Sequence, residues 1–249
     1  MIPSRSFRVF TIFCAVLLLA GFSAYGCAGK KGSKAPERNA EELAQEGMAA
    51  YNKGDYPKAI KNFEMLRDWY PFSKFLILAE LKLPDSRFKL GEYEEAAAGY
   101  ENFEKMHPAN EATPYVIYQL GMCHYERLSA PDRDQTSAVM ALSAFDRLIS
   151  GYPDSPYAKK ASEPVRMCQM RLAEHELSIG RYYLRQKNYA AAKARFENVI
   201  TRYPDTGVHR EALELLAEIR PHIKEAAKPK EPEAPKPTEP VAPATPEIP

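Results

Sequence analysis

One pattern recurs four times and fixes most of what this chain can become. An alanine stands four residues before an aromatic, and a proline stands eight residues after it. The sets are Ala59, Phe63, Pro71; Ala96, Tyr100, Pro108; Ala141, Phe145, Pro153; and Ala192, Phe196, Pro204. A second aromatic precedes the first by seven residues in three copies, as Tyr56, Tyr93 and Tyr189; the third copy has Ala138 there. Spacing of four puts the alanine and the aromatic on one helix face. The alanine lets a second helix approach, and the aromatic fills the space one turn on. Proline cannot continue a helix, so it closes the segment. Gly54 and Gly91 suit the turn before it, where a positive φ is cheap.

This is the consensus of a helix-turn-helix repeat of the tetratricopeptide type, whose period is about 34 residues. The intervals between the prolines are 37 (71 to 108), 45 (108 to 153) and 51 (153 to 204), so residues are inserted in repeats three and four. Unrelated amphipathic helices do not produce four registered copies by chance. The expected fold class is therefore all-α: a tetratricopeptide-type solenoid of about four repeats plus a capping helix, over residues 39–224. Each repeat packs on its neighbours, so 249 residues need no single large core.

Repeat one runs from about Asn39 to Pro71, with Gly47 where the repeat wants a small residue. Repeat two runs from about Ser73 to Pro108. Its first helix opens on Phe75-Leu76-Ile77-Leu78 and contains Pro84, which is expected to kink or split it. Repeat three begins at Thr113-Pro114, read as a cap followed by proline at the first helical position. Residues 129–135 form an insertion between its two helices. Repeat four begins at the cap Ser155-Pro156. Its first helix is expected to reach about Gln186, with a bend near Pro164. A last helix from about Gly207 to Lys224 closes the array.

The flanks differ in kind. Residues 1–26 read as an export signal: Arg5 and Arg8, then an uncharged run from Val9 to Gly26. The box Ala24-Tyr25-Gly26-Cys27 resembles a bacterial lipoprotein signal. The rival, an uncleaved span, needs about 20 apolar residues, and Gly21, Ser23 and Gly26 weaken it. In a lipoprotein the Cys27 thiol takes a diacylglycerol and its new amine an acyl chain, and several chains anchor far more firmly than one. Ala28 follows, where aspartate in such lipoproteins favours retention at the inner membrane, so the outer membrane is expected. Residues 27–38 read as a flexible tether. The last 25 residues hold eight prolines and read as a disordered tail with polyproline II character. It serves either as reach toward another envelope component or as a solubilising tail.

Composition narrows the function. Basic and acidic residues number 34 and 33; without Arg5 and Arg8 they number 32 and 33. No basic excess drives binding to nucleic acid. His107, His124, His175, His209 and His222 never lie three or four apart, so none pair on a helix face as metal ligands. There is no H-E-x-x-H, glycine-rich phosphate loop or G-x-S-x-G. Glu174-His175-Glu176 reads as a helix-surface charge cluster. No enzyme activity, metal or cofactor is expected. Cys123 and Cys168 remain after processing, either as a disulfide or as buried free thiols. Tyr115, Tyr118, Tyr125, Tyr182 and Tyr183 either line a concave binding surface or fill contacts between repeats.

With signal and repeats in place, the chain resembles the BamD-type outer-membrane-assembly lipoproteins of the YfiO family over about residues 27–224. The resemblance rests on Tyr70-Pro71-Phe72-Ser73; Tyr115-Val116-Ile117-Tyr118 with Gly121; Asp132-Arg133-Asp134 in the insertion; Gly151-Tyr152-Pro153-Asp154-Ser155 with Tyr157; Arg171-Leu172 leading to Tyr182-Tyr183; and Tyr203-Pro204-Asp205-Thr206. It implies a lipid-anchored scaffold on the periplasmic face of the outer membrane. Its partners would be the periplasmic domains of the β-barrel insertase, nascent outer-membrane proteins, and other assembly lipoproteins. By position it implies a substrate end at Tyr70, Phe72 and Ser73. It implies an insertase end at Arg195, Tyr203, Asp205 and Thr206. Asp132, Arg133 and Asp134 form either a structural ion-pair loop or a partner contact. The rival function is another envelope repeat lipoprotein, such as a secretin pilotin or a cell-wall coordinator.

Overall fold

A computed structural model describes residues 38–204 and 206–226. The signal, Cys27, Asp205 and nearly all of the tether and tail lie outside the described residues. The described residues form ten helices and no strands: α1 (Ala40–Asn52), α2 (Tyr56–Trp69), α3 (Leu76–Leu90), α4 (Tyr93–Met106), α5 (Thr113–Tyr125), α6 (Thr136–Gly151), α7 (Pro156–Lys160), α8 (Ser162–Arg185), α9 (Tyr189–Arg202) and α10 (His209–Ala226). The pairs α1/α2, α3/α4, α5/α6 and α8/α9 are the four repeats, each packed on the next, and α10 closes the row on α9.

Local chemistry sets the boundaries. Asn39 and Glu42 make a reciprocal capping box at the start of α1. Asp55 and Asn188 cap α2 and α9 through their side chains. The second helices all end alike. Tyr70, His107, Tyr152 and Tyr203 leave the helix with φ near −130° and ψ near 55°, one residue before proline. The inter-helix turn uses left-handed backbone at Gly54 and Gly91, with φ of 80° and 79°. Repeat four has no glycine there; Lys187 takes the same place with φ of 57°.

Packing follows the repeat. Ala59, Ala96, Ala141, Ala192 and the four aromatics Phe63, Tyr100, Phe145 and Phe196 are all fully buried. A Cβ built on Gly47, Gly121 or Gly180 would lie 2.6, 2.4 or 2.3 Å from the ring of Phe63, Phe145 or Phe196. No side chain fits there. In repeat two Pro84 occupies the glycine position, and the space appears on the facing helix. A Cβ on Gly99 would sit 2.9 Å from the Cβ of Pro84.

Three local expectations need correction. Pro84 does not split α3, which runs unbroken from Leu76 to Leu90. Its ring is buried against α4, and that packing offsets the one lost backbone bond. Thr113 does not cap α5 but is its first residue; Ala112 is the cap. The Thr113 hydroxyl instead donates to the His107 carbonyl at 2.9 Å, tying repeat two to repeat three. The bend expected at Pro164 is a full break at Ala161, between α7 and α8. Ser155 does cap α7, accepting from the Tyr157 amide. No helix among the described residues is long and apolar enough to cross a membrane.

Candidate binding surfaces

Among the described residues no three His, Cys, Asp or Glu side chains gather as metal ligands would. Cys123 and Cys168 are buried free thiols, not a disulfide. Burial pushes their pKa values up to about 12 and about 11, so both stay protonated and unreactive.

The first surface is the turn after α2. Of its three expected contact residues, two serve the fold. The Tyr70 hydroxyl donates to the Arg38 carbonyl at 2.9 Å, locking the start of the repeats onto the end of α2. Ser73 Oγ accepts from the Phe75 amide at 3.2 Å, bending the chain into α3. Phe72, between them, is 100 % exposed. The turn thus holds one aromatic ring wholly in solvent.

The second surface runs along the first helices and centres on Asp85, which the repeat pattern does not mark. Asp85 is 2 % exposed. Its carboxylate accepts from the Tyr100 and Tyr115 hydroxyls, each at 2.7 Å, and pairs with Lys82 Nζ at 2.7 Å. Lys82 lies over the Tyr51 ring, 4.9 Å from its centroid. Burial, with the Asp85 charge second, raises the pKa of Tyr51 to about 12 and pushes Tyr100 and Tyr115 further up. One buried carboxylate therefore joins repeats one, two and three. Tyr115 and Tyr118 pack edge-on and tilted against Tyr157, so these two tyrosines fill inter-repeat contacts. Tyr182 differs: it is 52 % exposed, stacked edge-on against Tyr183. The signal for Asp85 lay in the sequence, since only repeat two has tyrosine where the others have phenylalanine.

The third surface surrounds the insertion. Among the described residues no ion pair holds Asp132, Arg133 or Asp134, and the expected ion-pair loop is instead held by hydrogen bonds. Gln135 does that work: its amide donates to the carbonyls of Ala130 and Arg133 at 2.8 and 2.9 Å. His175 Nδ1 donates to the Pro131 carbonyl at 2.6 Å, pinning the loop to α8. Asp134 accepts from the Thr136 amide at 2.9 Å, and that bond holds its carboxyl below the usual range. Loop and helix leave a cleft of about 480 Å³ lined by Asp132, Arg171, Glu174, Arg181 and Glu211. Arg171 pairs with Glu174, and Arg181 with Glu211 across to α10. The cluster Glu174-His175-Glu176 is thus a set of structural ties.

The fourth surface is the far end of repeat four. Arg195 donates to both oxygens of Glu176 at 3.2 Å, and Asn198 donates to one of them at 3.2 Å. Arg195 keeps 38 % of its side chain exposed. Thr206 is buried, and its hydroxyl donates to the Tyr203 carbonyl at 2.8 Å, closing the turn into α10. Burial, then the Glu176 charge, raises the pKa of Tyr203. The Glu176 charge thus acts on both Arg195 and Tyr203.

The family model described as YfiO, outer membrane lipoprotein, matches residues 36–233. The chain belongs to the YfiO family. The match takes in all ten helices and the whole row of YfiO repeats. Among similar proteins, the outer membrane protein assembly factor BamD of Rickettsia prowazekii is 33 % identical over 84 % of this chain and 83 % of its own. That of Caulobacter vibrioides is 32 % identical over 82 % of this chain and 67 % of its own. That of Vibrio cholerae is 29 % identical over 81 % and 87 %. Family membership places the chain with outer-membrane lipoproteins that act in protein assembly.

Proposed function

We propose that the chain is a lipid-anchored scaffold subunit of the outer-membrane β-barrel assembly machinery. Cys27 carries the lipid, and the repeats hang on the periplasmic face. It acts by binding, not by catalysis. The observation that carries this reading is the continuous family match over residues 36–233, with relatives named as outer membrane protein assembly factors. Nothing in the geometry favours a secretin pilotin or a cell-wall coordinator.

The division of labour follows the surfaces. The N-terminal turn offers the free Phe72 ring to nascent outer-membrane proteins, with Tyr70 and Ser73 holding its shape. An extended strand with alternating apolar side chains is the ligand such a ring suits. Hand-over to an insertase requires micromolar rather than nanomolar affinity. The C-terminal end, with Arg195 and the Tyr203–Thr206 turn, meets the periplasmic domains of the insertase. Asp132, Arg133 and Asp134 present a second polar contact to assembly partners.

Because Arg195 also pairs with Glu176, a charge reversal alone is ambiguous. Two variants separate the roles. If Arg195 touches the insertase, Arg195→Glu loses it in co-purification while Glu176→Gln, which frees the arginine, retains it. Equal loss in both makes Arg195 a structural residue, and retention in both removes it from the interface.

A further inference from the structure

We propose that the turn after α2 is a membrane-contact edge. In the substrate-free chain Trp69 and Phe72 rest in the interface of the bilayer that holds the lipid anchor, with Lys74 at the headgroups. Two independent observations carry this.

The first is the chemistry of the edge. Trp69 is 48 % exposed and Phe72 fully exposed, three residues apart, with the exposed Lys74 beside them. Met106, 65 % exposed, occupies the same place at the end of α4 as Trp69 does at the end of α2. Repeat two thus exposes an apolar side chain at the equivalent position. Tryptophan and other aromatics flanked by a long cationic side chain are the composition that settles at the level of lipid headgroups. The bound backbone is also preset. Tyr70 and Ser73 are fixed by hydrogen bonds, so the two exposed rings are held out at little further cost in entropy.

The second is where the chain enters. The Tyr70 hydroxyl binds the Arg38 carbonyl, and Arg38 itself reaches Glu46 and Asn62. The polypeptide from the membrane thus arrives at this very turn. Cys27 lies eleven residues before Arg38. Whatever their conformation, eleven residues span at most about 40 Å. The edge lies beside the point where the tether joins the repeats, within tether reach of the lipid, at an effective concentration on the order of millimolar, where a weak contact is enough. This step rests on the reading of Cys27 as the lipidated residue. A nascent strand would compete for the same Phe72 ring.

Trp69 is the single tryptophan of the chain, so fluorescence excited at the red edge, where its tyrosines do not absorb, reports this edge alone. The mature, lipidated full-length protein is reconstituted in vesicles of phosphatidylethanolamine and phosphatidylglycerol. The expected result is a blue-shifted emission that acyl-brominated lipids quench. Phe72→Asp, on an exposed turn, should lose most of that quenching while the protein still floats with the vesicles and keeps its helical circular dichroism. Flotation without quenching overturns the edge and leaves the anchor intact. Failure to float overturns the anchor and the edge with it. A blue shift caused by a C-terminal outer-membrane-protein peptide, with none from vesicles, overturns the proposal and assigns the ring to substrate.

Discussion

The hydroxyl of Tyr100 donates to the buried carboxylate of Asp85 at 2.7 Å. The bond exists because repeat two carries tyrosine where repeats one, three and four carry phenylalanine. Removing a donor from a buried, charged acceptor costs about 1–3 kcal/mol. Tyr100→Phe should therefore destabilise the chain by that amount in urea denaturation, with far-ultraviolet circular dichroism unchanged. An unchanged midpoint would show that Lys82 and Tyr115 satisfy Asp85 without it.

Glycine is needed where a helix packs on a core ring and not where it faces open space. Gly121→Ala drives a methyl into the Phe145 ring, an overpacking worth about 1–3 kcal/mol. Gly151 lies in α6 with nothing near the site of a new Cβ. There Ala should stabilise by about 0.5–1 kcal/mol through helix propensity. Thermal unfolding of the two variants should move in opposite directions.

Lys187 holds a positive φ in the turn where Gly54 and Gly91 stand in repeats one and two. A left-handed backbone costs a non-glycine residue roughly 1–2 kcal/mol. Lys187→Gly should therefore raise the unfolding midpoint, by no more than about 1 kcal/mol once the flexibility of glycine in the unfolded chain is set against it. A fall in stability would mean that the lysine makes an unseen contact.

Acid should weaken the array through His124. Its ring is buried, and its Nδ1 has no hydrogen-bond partner. Burial, with the Arg127 charge second, lowers its pKa below the ordinary value. A depressed histidine must gain a proton on unfolding. Its neutral form contributes stability in full above about pH 6.5 and loses it as pH falls through the folded pKa. Stability measured from pH 7.5 down to 5 should decline, and His124→Gln should flatten the slope. An equal slope in the variant would place the acid sensitivity elsewhere.

The fourfold pattern made the helix order, the turns and the core aromatics readable in sequence, because each repeat position has one steric job. Gly47 was readable for the same reason. Asp85 was not, because an acidic residue beside a proline in Leu83-Pro84-Asp85-Ser86 looks like a loop. Only the concerted change of repeat two makes sense of it, with Pro84 for glycine, Gly99 for room and Tyr100 for phenylalanine. The insertion was visible as extra length, yet Gln135 and His175, which hold it, carry no local signal. At the candidate sites, resemblance alone points to Tyr70, Ser73 and Arg195, and each also bonds within the fold. That double use appears only once the helices are packed.

The central claim is membership of the β-barrel assembly machinery, and one measurement addresses it directly. The tagged, full-length protein is purified in mild detergent from its own membranes, and the co-purifying proteins are identified with their stoichiometry. The account predicts a near-equimolar outer-membrane β-barrel carrying repeated periplasmic domains. A secretin or a cell-wall enzyme in its place would contradict the account, leaving the repeat fold and the family standing with the function reassigned.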